Sequence, residues 1–252
     1  MKHPFFSIIT VTYNAEDTIS NTLDSIYEQN NTLFELIIID GKSLDNTLSI
    51  ISKHPVTKNI VISEKDSGIY DAMNKGVQYA KGNYVVFMNS GDRFYDRNTL
   101  SNVHSELYLN TVDLYFGNTS VSYDNGNIKN KKCAPMTKGV LYTPVCHQSL
   151  YAKKELLIKH PFSSNYKIAA DFNFILDVIN DHGEVFISDK TLSIVSSNGI
   201  SDIKRENVWL EYEKITEEKY GKKFFNWLFY RRMIVLERAK LAIKNAIKLI
   251  IN

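Results

Sequence analysis

Side chains that can hold a ligand or move a proton recur in this 252-residue chain at the ends of apolar runs. Thr12-Tyr13-Asn14 close the run FFSIITVTY, Asp40-Gly41 follow FELIII, Glu64-Lys65-Asp66 follow NIVIS, and Asn89-Ser90-Gly91-Asp92 close YVVFM. Farther on stand His147-Gln148 and Asp171, the latter heading DFNFILDVIND. A carboxylate so placed can accept a hydrogen bond from a nucleotide's base or ribose, ligate a hard divalent cation, or take a proton from an attacking hydroxyl. Each residue also has a plain structural use. Asp40 suits a turn or N-cap, a task Ser43, Asp45 or Thr47 would fill equally well, and Asp171 suits a helix N-cap. Ser90-Gly91-Asp92 suits a turn, His147 a satisfied structural histidine, and Asp71 with Lys75 an exposed i, i+4 ion pair.

The elements around these residues narrow the choice. Strand-like runs at 5–13, 34–40, 59–64 and 83–89 alternate with helix-like patterns at 15–29, 43–53 and 68–81. Such alternation predicts an α/β fold with a mostly parallel central sheet flanked by helices. Strands buried on both faces explain why the runs are continuously apolar. Ligands of open parallel sheets bind beyond the carboxyl ends of the strands, so four polar clusters fall at one edge. After residue 110 the pattern predicts strands around a turn at Asp124-Asn125-Gly126-Asn127 and a loop around Pro135 and Gly139. A strand-like run follows in CHQSLYA, then a helix at 171–181, then two strands in EVFISD and TLSIVS. A charged helix at about 202–220 precedes a basic segment beyond Gly221.

Composition excludes several classes. An apolar fraction of 44% is ordinary for a soluble globular chain and argues against disorder. The net charge of +2 is uneven: residues 222–252 carry +7, leaving −5 (2 minus 7) for the rest. An acidic body with a basic tail is not the profile of a nucleic-acid binder. Cys133 and Cys146 form neither a disulfide framework nor metal-type spacing, so a reduced cytoplasmic setting is expected. The N-terminus lacks a signal-peptide layout, and no uncharged apolar stretch of about 18 residues predicts a membrane span. No G-x-G-x-x-G follows the first strand, which argues against a dinucleotide dehydrogenase, and no Walker A pattern is present. In the tail, Val235, Ala239, Ile243, Ala246, Ile247 and Ile250 share one helical face, while Glu237, Lys240, Lys244 and Lys248 share another. Such a helix suits either an anionic membrane surface or packing on the body, and the aromatics at 224–230 favour the surface.

The stretches SIITVTYNAEDTISNTLDSI, IIIDGKSLDNT, SEKDSGIYDAMNKGVQYAKGNYVVFMNSGD, HQSLY and AADFNF resemble the family 2 glycosyltransferases of bacterial surface-polysaccharide synthesis. The resemblance covers roughly 5–200 and implies a GT-A fold and an inverting, metal-dependent transferase. Carried over, it places Thr12, Tyr13 and Asn14 against the nucleotide and Asp40 toward its base. Asp66, Asp71, Asn74, Asn89, Ser90 and Gly91 line the donor site. Asp92 holds a divalent cation (Mn2+ or Mg2+), and Asp171 is the catalytic base. His147 and Gln148 are left open between the diphosphate, the metal and the acceptor. Two departures stand out: Asn89-Ser90-Gly91-Asp92 replaces the Asp-x-Asp-Asp of many members, and Met73 replaces an Arg before Asn74.

The expected organisation is a GT-A domain over 1–221, with a nucleotide-sugar half at 1–100 and an acceptor half at 101–221, then a basic amphipathic segment at 222–252. The expected activity is transfer from a UDP-sugar to a lipid-linked surface-polysaccharide or O-antigen acceptor, peripheral to the inner face of the bacterial membrane. The rivals are a non-catalytic nucleotide- or glycan-binding protein on the same fold and a sugar nucleotidyltransferase.

Overall fold

The computed structural model describes residues 3–31, 33–56, 59–133, 146–197, 199 and 204–251, with the side chains of 59 and 244–251 excepted. The expected loop at Pro135 and Gly139, the first residues of the helix expected from 202, and the side chains of Lys244, Ala246, Ile247, Lys248 and Ile250 lie outside the described residues.

In chain order the elements are β1 (Phe6–Thr12), α1 (Ile19–Tyr27), β2 (Phe34–Asp40), α2 (Thr47–Lys53), β3 (Asn59–Ser63), α3 (Ile69–Tyr79), β4 (Tyr84–Phe87), β5 (Arg93–Phe94) and α4 (Thr99–Leu109). There follow β6 (Leu114–Ser122), β7 (Ile128–Lys131), a 3₁₀ turn (His147–Ser149), β8 (Leu150–Lys153), α5 (Lys154–Lys159), α6 (Ala170–Asn180), β9 (Val185–Ser196), α7 (Arg205–Tyr220) and α8 (Phe224–Ile251). They form two compact units, one of residues 1–134 with 144–197 and one of 135–143 with 198–252. The expected boundary at 221/222 falls between the two helices of the second unit.

In the first unit the strands run β3-β2-β1-β4-β8-β6-β9-β5, with β7 beside β6. The β1–β4 half is parallel, and β8 turns the pairing antiparallel. All seven residues of β1 are buried, as a central parallel strand with both faces covered requires. Ile19, Leu23 and Ile26 bury one stripe of α1, and Gly76 lets α3 approach β1 so closely that a Cβ there would lie 2.5 Å from Ile9. Met73 is wholly buried, so the position where many family members carry an Arg is apolar core here.

Where two strands were expected near the C-terminal end of the sheet, one long strand forms. β9 pairs Ile187 with Phe116 and Thr191 with Asn118, so residues 188–190 bulge opposite Gly117 alone. A Cβ at Gly117 would lie 2.4 Å from Leu192, so the glycine makes room for the bulge to pack. In the second unit Trp209 of α7 packs with Tyr230 and Ile234 of α8. Arg231 pairs with Glu213 at 3.0 Å and Arg238 with Glu206 at 2.7 Å across the same helices.

Candidate active site

Two polar clusters stand at the carboxyl ends of the parallel strands. At the ends of β1 and β2, Asp40 is fully buried; its Oδ2 accepts from the Ser43 N–H at 3.0 Å and the Ser63 hydroxyl at 2.6 Å, and its Oδ1 accepts from the Ser43 hydroxyl. Asn14, in the left-handed region at φ 45°, donates its N–H to Ser43 Oγ and accepts from the Leu44 N–H through Oδ1. Thr12 is buried, and its hydroxyl is without a hydrogen-bond partner among the described residues. Tyr13, by contrast, is 60% exposed. Gly41 lies between them and Asp66: a Cβ there would sit 2.7 Å from Asp66 Oδ2 and 3.2 Å from the Tyr13 ring. The missing side chain lets an exposed aromatic ring and a carboxylate close on bare backbone, a shape that suits a flat ring against Tyr13.

Farther along α3 the expected donor residues have other engagements. Asp71 accepts from the Ser67 N–H at 2.9 Å and stands 3.5 Å from Lys75, in the expected i, i+4 pair. Lys75 also meets Glu64 at 3.0 Å, the main reason its ammonium is held above its ordinary pKa. Asn74 spends both halves of its amide on Phe162, donating to the carbonyl at 2.8 Å and accepting from the N–H at 2.9 Å. It is a clamp between α3 and the segment before α6.

The second cluster forms beyond β4. The Val11 N–H donates to Asn89 Oδ1, the Ser90 N–H donates to the Val11 carbonyl, and the Thr22 hydroxyl donates to the Asp92 carbonyl at 2.8 Å while accepting from the Gly91 N–H at 3.0 Å. Thr22, in the middle of α1, thus fixes the loop, and Gly91 supplies the φ of 95° that its turn needs. Ser90 Oγ is buried without a partner among the described residues. The 3₁₀ turn then meets two carboxylates with consecutive residues. Gln148 Nε2 donates to Asp92 Oδ2 at 2.8 Å, and His147 Nδ1 lies 3.4 Å from Asp171 Oδ2. His147 Nε2 lies 3.1 Å from Asn89 Nδ2.

Asp171 sits in the first turn of α6, where the helix's partial positive charge favours a carboxylate. Its Oδ1 accepts from the Phe172 N–H at 2.9 Å and lies 3.2 Å from the Tyr70 hydroxyl, which is nearer the Ile168 carbonyl at 2.7 Å. The structure therefore joins Asn89, Asp92, His147, Gln148 and Asp171, and adds Tyr70 and Thr22, which the sequence reading missed. A periodic apolar position on α3 and a lone threonine inside α1 carry no signal of a polar task. Cys146 is beside the cluster, but burial pushes its thiol up, so it is not an activated nucleophile.

Burial pushes the Asp92 carboxyl up to about 6, against the pull of the Gln148 amide. Among the described residues this carboxylate has an amide and an imidazole near it and no ion pair, a setting that fits a divalent ion. Among the described residues no three His, Cys, Asp or Glu side chains form a metal-type group. Both nitrogens of His147 face other partners.

Residues 7–167 match the family model described as Glycosyl transferase family 2. The chain belongs to that family. Over 179 residues this family 2 chain is 31% identical to a PGL/p-HBAD biosynthesis glycosyltransferase of Mycobacterium bovis, covering 69% of each. It is 28% identical to the UDP-Glc:alpha-D-GlcNAc-diphosphoundecaprenol beta-1,3-glucosyltransferase WfgD of Escherichia coli, covering 79% of this chain and 83% of the relative. The solved mannosyltransferase PcManGT of Pyrobaculum calidifontis, in complex with GDP-Man and Mn2+, superposes with a TM-score of 0.65 at 21% identity over 97% of this chain and 76% of that one. The last comparison carries the fold: the GT-A arrangement that the resemblance implied is the one observed.

Proposed function

We propose that this glycosyltransferase is inverting and cation-assisted, and moves a sugar from a UDP-sugar to a lipid-linked glycan of a bacterial surface polysaccharide. The observation that carries the reading is the single 3₁₀ turn that holds Gln148 on Asp92 and His147 on Asp171. It puts a carboxylate suited to a cation and a carboxylate suited to a base in one polar cluster. The Tyr13–Gly41–Asp66 recess at the β1 and β2 ends would take the nucleotide base, with Asp40 holding its wall. When bound, a divalent cation on Asp92 would offset the charge that a leaving diphosphate gathers. Asp171 would accept the proton of the attacking hydroxyl, a contribution of roughly 10²–10⁴-fold, and one such displacement inverts the anomeric carbon. The UDP donor and lipid-linked acceptor follow the names of relatives such as the Escherichia coli enzyme.

The second unit would hold the enzyme at its acceptor. On α8, Phe225, Leu228, Val235, Leu236 and Ile243 are exposed on the face opposite the buried Tyr230 and Ile234, with Arg231, Arg232, Arg238 and Lys240 alongside. Exposed apolar residues beside Arg232 would suit a lipid surface, with Arg231, Arg238 and Lys240 paired to Glu213, Glu206 and Glu237, and among the described residues no helix is long and apolar enough to cross a membrane.

Calorimetry of UDP and GDP with and without Mn2+ tests the donor site, followed by turnover with a panel of UDP-sugars. Metal-dependent binding of UDP, lost in Asp92→Ala, is expected. Folded protein that binds neither nucleotide with metal present would overturn the reading in favour of a non-catalytic protein.

A further inference from the structure

We propose that Asn89 is a positioning residue that fixes the tautomer of His147, and through it the orientation of the Asp171 carboxylate. An amide is then required where many family members carry the first aspartate of their carboxylate motif. The inference rests on the reading of Asp171 as the base.

The direction of each hydrogen bond follows from the one before it. The Val11 N–H can only donate, and it lies 3.3 Å from one end of the Asn89 amide, so that end is the oxygen. The other end is therefore the NH2 group, which lies 3.1 Å from His147 Nε2 and has only hydrogens to offer. Nε2 must present its lone pair. A neutral imidazole with a bare Nε2 carries its hydrogen on Nδ1, which lies 3.4 Å from Asp171 Oδ2. The chain of donors thus runs from the β1 backbone through Asn89 to His147, whose Nδ1 hydrogen then faces the carboxylate across a 3.4 Å contact. Tyr70 gives Asp171 weaker support, because its single proton is nearer the Ile168 carbonyl. His147 is the side chain set against Oδ2 at 3.4 Å, while the Phe172 N–H holds Oδ1.

An aspartate at position 89 would break the chain without changing its shape. It has no hydrogen to give Nε2, so Nε2 would have to carry one. Either the ring moves its proton and turns a bare Nδ1 toward Asp171, or it takes a second proton and sets a cation against the base. The first loses the aim of Oδ2, and the second makes it a poorer proton acceptor. The arrangement parallels the partners that orient metal-ligating histidines, whose removal typically costs about 10–100-fold.

The test is nitrogen NMR of the histidine rings in the wild-type protein near neutral pH, with His147→Gln used to assign the signals. A protonated Nδ1 and a bare Nε2 are expected, and Asn89→Asp should move the proton signal to Nε2. A wild-type ring protonated at Nε2 would overturn the proposal, whatever the activity of any variant. With the donor that supports turnover, Asn89→Asp should lower kcat about 10–100-fold. Unchanged kcat in Asn89→Asp beside an inactive Asp171→Asn would sink the tautomer relay alone. An active Asp171→Asn would instead sink the base reading and leave the NMR result to stand or fall by itself.

Discussion

The ends of β2 and β4 each carry a carboxylate, and the two are treated oppositely. Asp40 is fully buried and receives the Ser43 N–H and the hydroxyls of Ser43 and Ser63. Asp92 receives the Gln148 amide, and burial still pushes its carboxyl up to about 6. Buried charge is tolerated when hydrogen bonds replace the lost water, and it is costly when they do not. Asp40 is therefore a structural post that shapes the β2–α2 and β3–α3 connections. Among the described residues Asp92 has the Gln148 amide and the His147 ring near it and no ion pair.

The contrast can be broken or sharpened by substitution. The largest effect is expected on the β4 side, in Asp171→Asn: turnover should fall roughly 10²–10⁴-fold with UDP affinity unchanged by calorimetry. A parallel loss of binding would show that Asp171 belongs to the donor site instead. Asp40→Ala leaves buried donors without an acceptor and should cost about 3 kcal/mol in urea unfolding. A variant as stable as wild type would mean that Asp40 is no post.

Asp92→Asn should do the reverse. Because the folded pKa lies above the ordinary 3.8, the stability contributed by the protonated carboxyl is complete below about pH 4 and is lost as pH rises through about 6. The amide removes that penalty, so the variant should be more stable by up to about 3 kcal/mol at pH 8, with the gap closing toward pH 4. Its metal-dependent UDP binding should vanish. The smallest effect is expected for Gly91→Ala, where the nearest atom to a new Cβ is Thr18 Cβ at 3.8 Å. With space available, the cost is that of a φ of 95° for a residue with a side chain, roughly 1 kcal/mol, readable as a shift in the urea midpoint.

Much of this was open to reading from the chain. The runs from β1 to β4 are long and apolar, their helices periodic, and the polar residues after them fall where a parallel sheet exposes ligand sites. The motif residues Asn89, Asp92, His147, Gln148 and Asp171 stand out in the chain, yet nothing in their spacing indicates which pairs meet, since contacts across 56 or 24 positions depend on the sheet's turn at β8. Asp189 and Lys190 look like a break between strands because a bulge is polar, and only the facing Gly117 reveals that the strand continues. Thr22 and Tyr70 were hidden by their settings, one inside a helix and one on its apolar stripe. On α8 the sequence shows two kinds of face but not that Tyr230 and Ile234, outside the apolar face drawn from the sequence, would be the ones to pack on Trp209.

His147 and Gln148 are neighbours in the chain, and each meets a different carboxylate. One peptide bond therefore works as a gauge that sets the interval between the two carboxylates. Inserting a single residue between His147 and Gln148 would detach the halves of the machine from each other, although every functional side chain would still be present.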